Sequence, residues 1–182
     1  GNPHLLNDDT LSRMRTAGCH TIIIGVDDAD TDMLKERYQR SLTRDDLYRF
    51  CSTCHKLGIE IGGDFIIGLS NDPSAVDKIS RFAIDLNLDY CSFNIFSPLL
   101  GSRVREDLVA EGRIKPAQIG PDTSGTVGLN DQALLAARNR ALRRFYLRPG
   151  YLLRRAARVR SLEELRVKLG EMTALFGKAW RS

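Results

Sequence analysis

The chain lacks long apolar runs. Its longest, such as TIIIGV at residues 21–26, fall far short of the roughly 20 residues that a membrane-crossing helix needs. No charged-then-apolar segment opens the sequence, so export is not signalled. Cysteine is scarce, at 4 of 182 residues, and scattered. That spacing excludes a disulfide framework, and the expected compartment is a reducing cytoplasm. No second C-x-x-C and no H-x-x-H completes a four-ligand zinc set. No glycine-rich phosphate loop follows a strand. Aromatic residues are 7% of the chain and are not interleaved with its arginines, and no nucleic-acid motif is present, so nucleic acid is an unlikely partner.

What is there is the mixture of a globular protein. Hydrophobic residues are 42% and charged residues 27%, enough chain and apolar content for one sizeable core. The net charge of +4 hides an asymmetry: residues 138–182 hold 13 Lys and Arg against 3 Asp and Glu, a net +10, which leaves −6 on the preceding residues. A basic tail on an acidic body fits either an anionic partner or a solvated face of terminal helices.

Periodicity sets the order of elements. Leu11, Met14 and Ala17 suit a short amphipathic helix closed by Gly18. His20–Val26 reads as a strand apolar on both sides of the pleat, as parallel strands are. Thr43 opens a helix as a capping box with Asp46, and Leu47, Phe50, Cys51, Cys54 and Leu57 form its apolar stripe. Residues 59–69 form a second strand, with Gly62 and Gly63 inside it. Asp72 as N-cap and Pro73 at the first helical position start the next helix, which buries Val76, Ile79, Ala83 and Leu86. Residues 90–98 are a third strand, stopped by Pro98. Beyond it the chain turns helical, with a break at Arg148–Tyr151 and a final helix capped by Ser161 and Glu164. The implied fold class is α/β: a partial TIM-type (βα) barrel of three parallel strands, then a C-terminal helical region. The division expected is residues 1–105 for the half-barrel and 106–182 for the helical extension.

FCSTCH at residues 50–55 spells C-x-x-C-H, the pattern of c-type haem attachment and of thiol redox sites. Both cysteines fall on the apolar stripe of their helix, two turns from its start. A redox pair sits at a helix start, where the dipole lowers a thiol pKa. Core packing is therefore expected of Cys51 and Cys54, and of Cys19 and Cys91 beside strands.

In a parallel βα array, function gathers at the C-terminal ends of the strands. Three such ends are readable: GVDDAD (25–30), GLSND (68–72) and NIFSPLLGSR (94–103). Their carboxylates could accept hydrogen bonds from sugar hydroxyls, and Gly68 lets a ligand approach the backbone. Asp, Asn and Gly are also ordinary turn residues.

The order L-x-x-M-x-x-A-G-C at residues 11–19, a strand ending GVDD, KERYQRSLT at 35–43, a helix ending GI and then DFIIGL at 64–69 resembles the second half of a radical S-adenosylmethionine (SAM) enzyme barrel. NIFSPLLGSR is similar to the turn after that barrel's last strand, and residues 138–155 resemble the cobalamin-binding class, including the anaerobic magnesium-protoporphyrin ester cyclase type. The resemblance implies that Asp27 and Asp28 meet the SAM ribose, that Arg40 pairs with its carboxylate, and that Ile66 and Gly68 lie against the adenine, with Asn94 in the same pocket. It implies SAM and a [4Fe–4S] cluster in a parent protein, leaves cobalamin open, and places a small-molecule substrate there. The cluster-binding C-x-x-x-C-x-x-C and the G-G-E strand are absent from these residues. No cofactor is therefore expected on this chain alone.

Three parallel strands cannot close a barrel. The expected partners are the missing half of the barrel, or a second copy meeting the edge at residues 20–26. The alternative is a non-catalytic α/β module whose basic tail binds RNA, an anionic surface or a partner protein.

Overall fold

A computed structural model describes Pro3, residues 6–69, Asp72, and residues 74–112, 114–116, 131–157 and 170. The first helix, α1 (Asp8–Thr16), is capped by Asn7, whose side chain accepts from the Thr10 amide. Strand β1 (Thr21–Asp27) follows, then α2 (Thr31–Tyr38) and α3 (Arg44–Lys56). Strand β2 (Glu60–Ile67), α4 (Ala75–Asp85) and β3 (Tyr90–Ile95) complete the repeating part. Helices α5 (Arg103–Ala110), α6 (Asp131–Tyr146) and α7 (Pro149–Ala157) close the described order. The three strands pair in parallel in the order β1-β2-β3. The fold is α/β, one open parallel sheet with helices, as a partial βα barrel has.

The core lies between one face of the sheet and the helices. Ile22, Ile24 and Val26 of β1, Ile61, Phe65 and Ile67 of β2, and Cys91 and Phe93 of β3 point into it. They meet Leu11 of α1, Leu47, Phe50 and Cys54 of α3, and Ile79, Phe82 and Ala83 of α4. Gly63 sits where a Cβ would lie 2.5 Å from Leu88 Cδ1, so no larger residue fits there without moving that packing. The capping box forms between Thr43 and Asp46, and the α3 stripe buries Leu47, Phe50, Cys51 and Cys54 as its spacing predicts.

Helix α4 starts later than its sequence suggests. Its first residue is Ala75, and its N-cap, Ser74, makes no side-chain cap bond. Asp72 instead closes a turn of its own. Its Oδ1 accepts from the Ser74 amide at 2.8 Å, and its carbonyl accepts from the Ala75 amide at 3.0 Å. A short carboxylate that reaches the amide two residues on competes with helix capping, and here that local bond prevails.

The helical extension is built onto the same core. Leu134, Ala141, Leu142 and Phe145 of α6 join the cluster formed by the strands. The Tyr146 hydroxyl donates to the Cys91 carbonyl at 2.8 Å and accepts from the Cys91 amide at 3.0 Å. A side chain thus serves both backbone groups on the outer edge of β3. The Tyr151 hydroxyl donates to the Asp89 carbonyl at 3.0 Å. Arg155 donates to Glu60 at 2.9 Å and lies over the Tyr90 ring, 4.4 Å from its centroid. The final helix expected after Ser161 lies outside the described residues.

The other face of the sheet differs from the sequence reading. Strand β1 was expected to be buried on both sides of the pleat, but its residues alternate, and Ile23 is 58% exposed. Thr21, Ile23 and Gly25 share this face with Glu60, Gly62, Asp64 and Ile66 of β2 and Tyr90, Ser92 and Asn94 of β3. Most parallel sheets are covered on both faces. Here the helices of the core pack on one face; on the other, α7 reaches Glu60 and Tyr90 through Arg155, and Arg40, just after α2, lies over Gly25.

Candidate functional site

The C-terminal ends of the strands gather most of the candidate residues. Strand β1 ends in a register shift between Gly25 and Asp27, and Asp27 takes a left-handed conformation with φ 66°. Aspartate tolerates that region better than most residues. The turn that follows is held by Asp28, whose Oδ1 accepts from the Asp30 amide at 3.0 Å. Asp30 then caps α2 by accepting from the Met33 amide at 2.9 Å. Helix α2 ends at Gln39 in the left-handed region, and the Arg40 amide donates back to the Leu34 carbonyl at 3.1 Å. That termination turns the chain and sends the Arg40 side chain back over β1.

Arg40 and Asp27 meet there. Arg40 Nη2 lies 2.8 Å from Asp27 Oδ2 and donates to the Gly25 carbonyl at 3.4 Å. Nε and Nη1 of Arg40 have no partner among the described residues. The pair forms the polar end of a cavity of about 270 Å³. Its remaining wall is largely apolar, with Leu34 and Tyr38 from α2, Ile66 and Leu69 from β2 and its end, and Phe96 and Leu99 after β3. The Tyr38 hydroxyl donates to the Leu69 carbonyl at 3.4 Å, tying α2 to the end of β2. Arg105, buried on α5, donates to the Pro98 carbonyl at 3.2 Å and to the Pro116 carbonyl at 3.2 Å, which fixes the loop forming the far wall.

Three expected site residues, Asp27, Arg40 and Ile66, therefore share one cavity. Gly68 lies between Ile66 and Leu69 with φ 98°, a conformation open mainly to glycine. Asp28 is elsewhere. It is 3% exposed, its Oδ2 has no hydrogen-bond partner, and burial pushes its carboxyl pKa up. Its work is to hold the turn beneath Asp27, out of a ligand's reach. Asn94 lies on the uncovered face of β3, where its Nδ2 donates to Ser92 Oγ at 3.2 Å.

Sequence reasoning missed two residues of that uncovered face. Asp64 of β2 accepts from Ser92 Oγ at 2.5 Å. Gly25, Asp64 and Ser92 are register partners across the three strands. The signal was available in the alternation of GGDFI and CSFNI, whose polar residues share one face. Reading β1 as apolar on both faces drew attention away from the face the three strands share.

The cysteines lie apart from this site. Cys51 and Cys54 are buried in the α3 interface, where burial pushes their thiols up to about 12 and about 11. Cys91 is buried beneath α6. No group of three or more His, Cys, Asp or Glu placed to hold a metal ion occurs among the described residues. No described helix is long and apolar enough to cross a membrane.

No family model matches the chain. It is 28% identical over 155 residues to a protein of Pyrococcus horikoshii described as an uncharacterized methyltransferase, PH0819. That alignment takes in 81% of this chain and 33% of the relative, so the chain spans about a third of the curated protein it matches. In three dimensions it is similar to the radical SAM methyltransferase TsrM of Kitasatospora setae, solved with cobalamin and a [4Fe–4S] cluster bound. The TM-score is 0.52 at 20% identity, over 66% of this chain and 24% of that one. At that identity the likeness is one of fold.

Proposed function

We propose that this chain is the C-terminal part of the catalytic barrel of a radical SAM methyltransferase, and that its strand ends form one half of the SAM site. The observation that carries the reading is the meeting of Asp27, Arg40 and Ile66 in one cavity with an apolar wall and a charged end. SAM has matching parts: a carboxylate, a ribose diol and an apolar-faced adenine. A guanidinium with Nε and Nη1 open presents the fork that a carboxylate takes bidentately. Asp27 accepts hydroxyl hydrogens, and Ile66 supplies a flat apolar contact. Binding exchanges one partner for another, because Arg40 and Asp27 now hold each other at 2.8 Å. The resemblance noted in the sequence and the two relatives, a methyltransferase and a radical SAM methyltransferase by description, support the same assignment.

The iron–sulfur cluster does not fit these residues. A thiol must lose its proton to ligate iron, and burial opposes that at Cys51, Cys54 and Cys91. They also lie on the core side of the sheet, away from the strand ends. The described residues offer no ligand set for a cluster. No described residue is assigned to cobalamin. The chain's own part is to bind and orient the nucleoside ligand and to wall it from water.

The alternative of a binding module on a basic tail is weakened by where the tail's cations go. Arg144 pairs with Asp77 at 3.1 Å, Arg155 with Glu60 at 2.9 Å, and Arg148 stacks 4.4 Å over Phe145. Arg144 and Arg155 fasten the tail to its own acidic body, and Arg148 packs within the tail.

The test is a titration of the labelled chain with S-adenosylhomocysteine followed by amide NMR. A half-site should bind weakly, with a Kd of about 1 mM. The amides of Asp27, Arg40, Ile66 and Gly68 should shift, and Arg40→Ala should weaken binding about tenfold. Shifts confined to other elements, or an unchanged Kd in Arg40→Ala, would overturn the assignment.

A further inference from the structure

On the reading of the cavity as the nucleoside site, we infer that Arg105 is a positioning residue of that site and couples its occupancy to the placement of residues 114–116. Arg105 is 5% exposed, which is rare for a charged side chain. Its Nη1 donates to the Pro98 carbonyl and its Nη2 to the Pro116 carbonyl, each at 3.2 Å. Pro98 lines the cavity, and residues 114–116 do not. One guanidinium therefore joins the cavity wall to a segment outside it. The fork is planar and rigid, so the two carbonyls cannot move independently while both bonds last.

The wall depends on this joint because little else holds its middle. The Phe96 amide donates to the Ile67 carbonyl at 2.8 Å, which ties the start of the loop to β2. The far end is the cap of α5, where Ser102 Oγ and the Ser102 amide donate to the Leu99 carbonyl at 2.7 and 3.1 Å. Between these anchors Leu99 and Leu100 stand 73% and 62% exposed, so apolar burial does not pin the loop. Its Pro98 and Leu99 carbonyls are engaged by α5, and its apolar residues Phe96, Pro98 and Leu99 line the cavity. A base packed on those residues steadies the loop, and Arg105 passes that constraint to the Pro116 carbonyl. Linkage makes the effect reciprocal: a segment held at Pro116 favours the ligand. Helix α5 has packing of its own, since Leu108 is buried and its carbonyl accepts from the amide of buried Ile114 at 3.4 Å. Losing the guanidinium loosens the wall without removing the helix.

The experiment titrates the full 182-residue chain with S-adenosylhomocysteine, followed by amide NMR. The Ile114 and Lys115 amides should shift with the same midpoint as those of Asp27 and Arg40. Arg105→Met keeps an apolar stem and removes every donor. It should weaken binding about tenfold and abolish the Ile114 and Lys115 shifts, while Asp27 and Arg40 still respond. Arg105→Lys keeps the charge and can serve one carbonyl, so it should recover affinity in part. An arginine that only supports the fold would lower the urea midpoint in both variants and leave the Ile114 shift tied to the ligand. That result would overturn the coupling, as would wild-type affinity in Arg105→Met. Silence at Ile114 and Lys115 in the unaltered chain, with Asp27 shifting, would overturn it too. If Arg105→Met does not fold, the unaltered chain and Arg105→Lys decide. Silence at Asp27 and Arg40 as well would overturn the nucleoside reading and this coupling with it.

Discussion

Adjacent aspartates at the end of β1 do opposite work, and solvent decides which. Asp27 reaches the cavity and meets Arg40, while Asp28 turns inward and has one oxygen without a partner. Burial raises the Asp28 pKa, so between the unfolded carboxylate range and that raised value the folded chain binds more protons than the unfolded one. Stability from this residue is then full at low pH and falls as pH rises through the window. Asp28→Asn keeps the acceptor for the Asp30 amide and removes the buried charge. It should raise stability at pH 7 by about 1 kcal/mol and flatten that part of the pH profile, measured by urea denaturation across pH. Asp72 runs the other way. Its hydrogen bond from Lys78, at 2.6 Å, and those from Ser74 hold its carboxyl down to about 2. Its contribution is present above the usual carboxylate range and is lost as pH falls toward 2. The thiols give a further check. Iodoacetamide should label half-buried Cys19 first in the native chain, and Cys51, Cys54 and Cys91 only on unfolding, as mass spectrometry would count.

Among elements, one hydroxyl ties the helical extension to the backbone of β3. Tyr146 serves both the amide and the carbonyl of Cys91, and burial pushes its phenol up to about 12. Tyr146→Phe keeps the ring and its edge contacts with Phe145 and Tyr151 but leaves two backbone groups without their partner. The expected cost is about 2 kcal/mol, read as a lower urea midpoint with an unchanged slope. This joint was only half legible in the sequence. The break at Arg148–Tyr151 is readable from its proline, but a bond across 55 residues has no periodic signature. The strands and helices were legible because each is patterned locally: the 3-4-7 stripe of α3, the Thr43–Asp46 box, the β-branched run of β1. The start of α4 was not, because Asp72 chooses between capping and an Asx turn on a difference that spacing does not encode. The cavity was legible as three strand ends and illegible as a pocket. Its wall depends on Arg105 holding Pro98 and on the left-handed Gln39 that returns Arg40 to β1.

At the scale of the molecule, the sheet is finished on one side and unfinished on the other. Hydrophobic cover from five helices suffices for the core face, yet Ile23 stands 58% exposed on the opposite face beside Gly62 and Tyr90. Parallel sheets seldom leave a face to water, because strands of this composition gain from burial on both sides. The edge at β3 is served by Tyr146, so growth of the sheet is disfavoured there. Strand β1 is the other outer strand of the described sheet, and cover for the Ile23 face is most readily supplied from that side. A (βα) segment completing the barrel would provide it, and in its absence a second copy would. The chain alone should therefore associate with itself as concentration rises, seen by light scattering behind a sizing column. Ile23→Lys puts a charge on the contact without entering the core, so it should return the chain to monomer while circular dichroism stays unchanged. An unaltered chain that stays monomeric at every concentration, with amides 21–25 protected from exchange, would show that this face needs no cover.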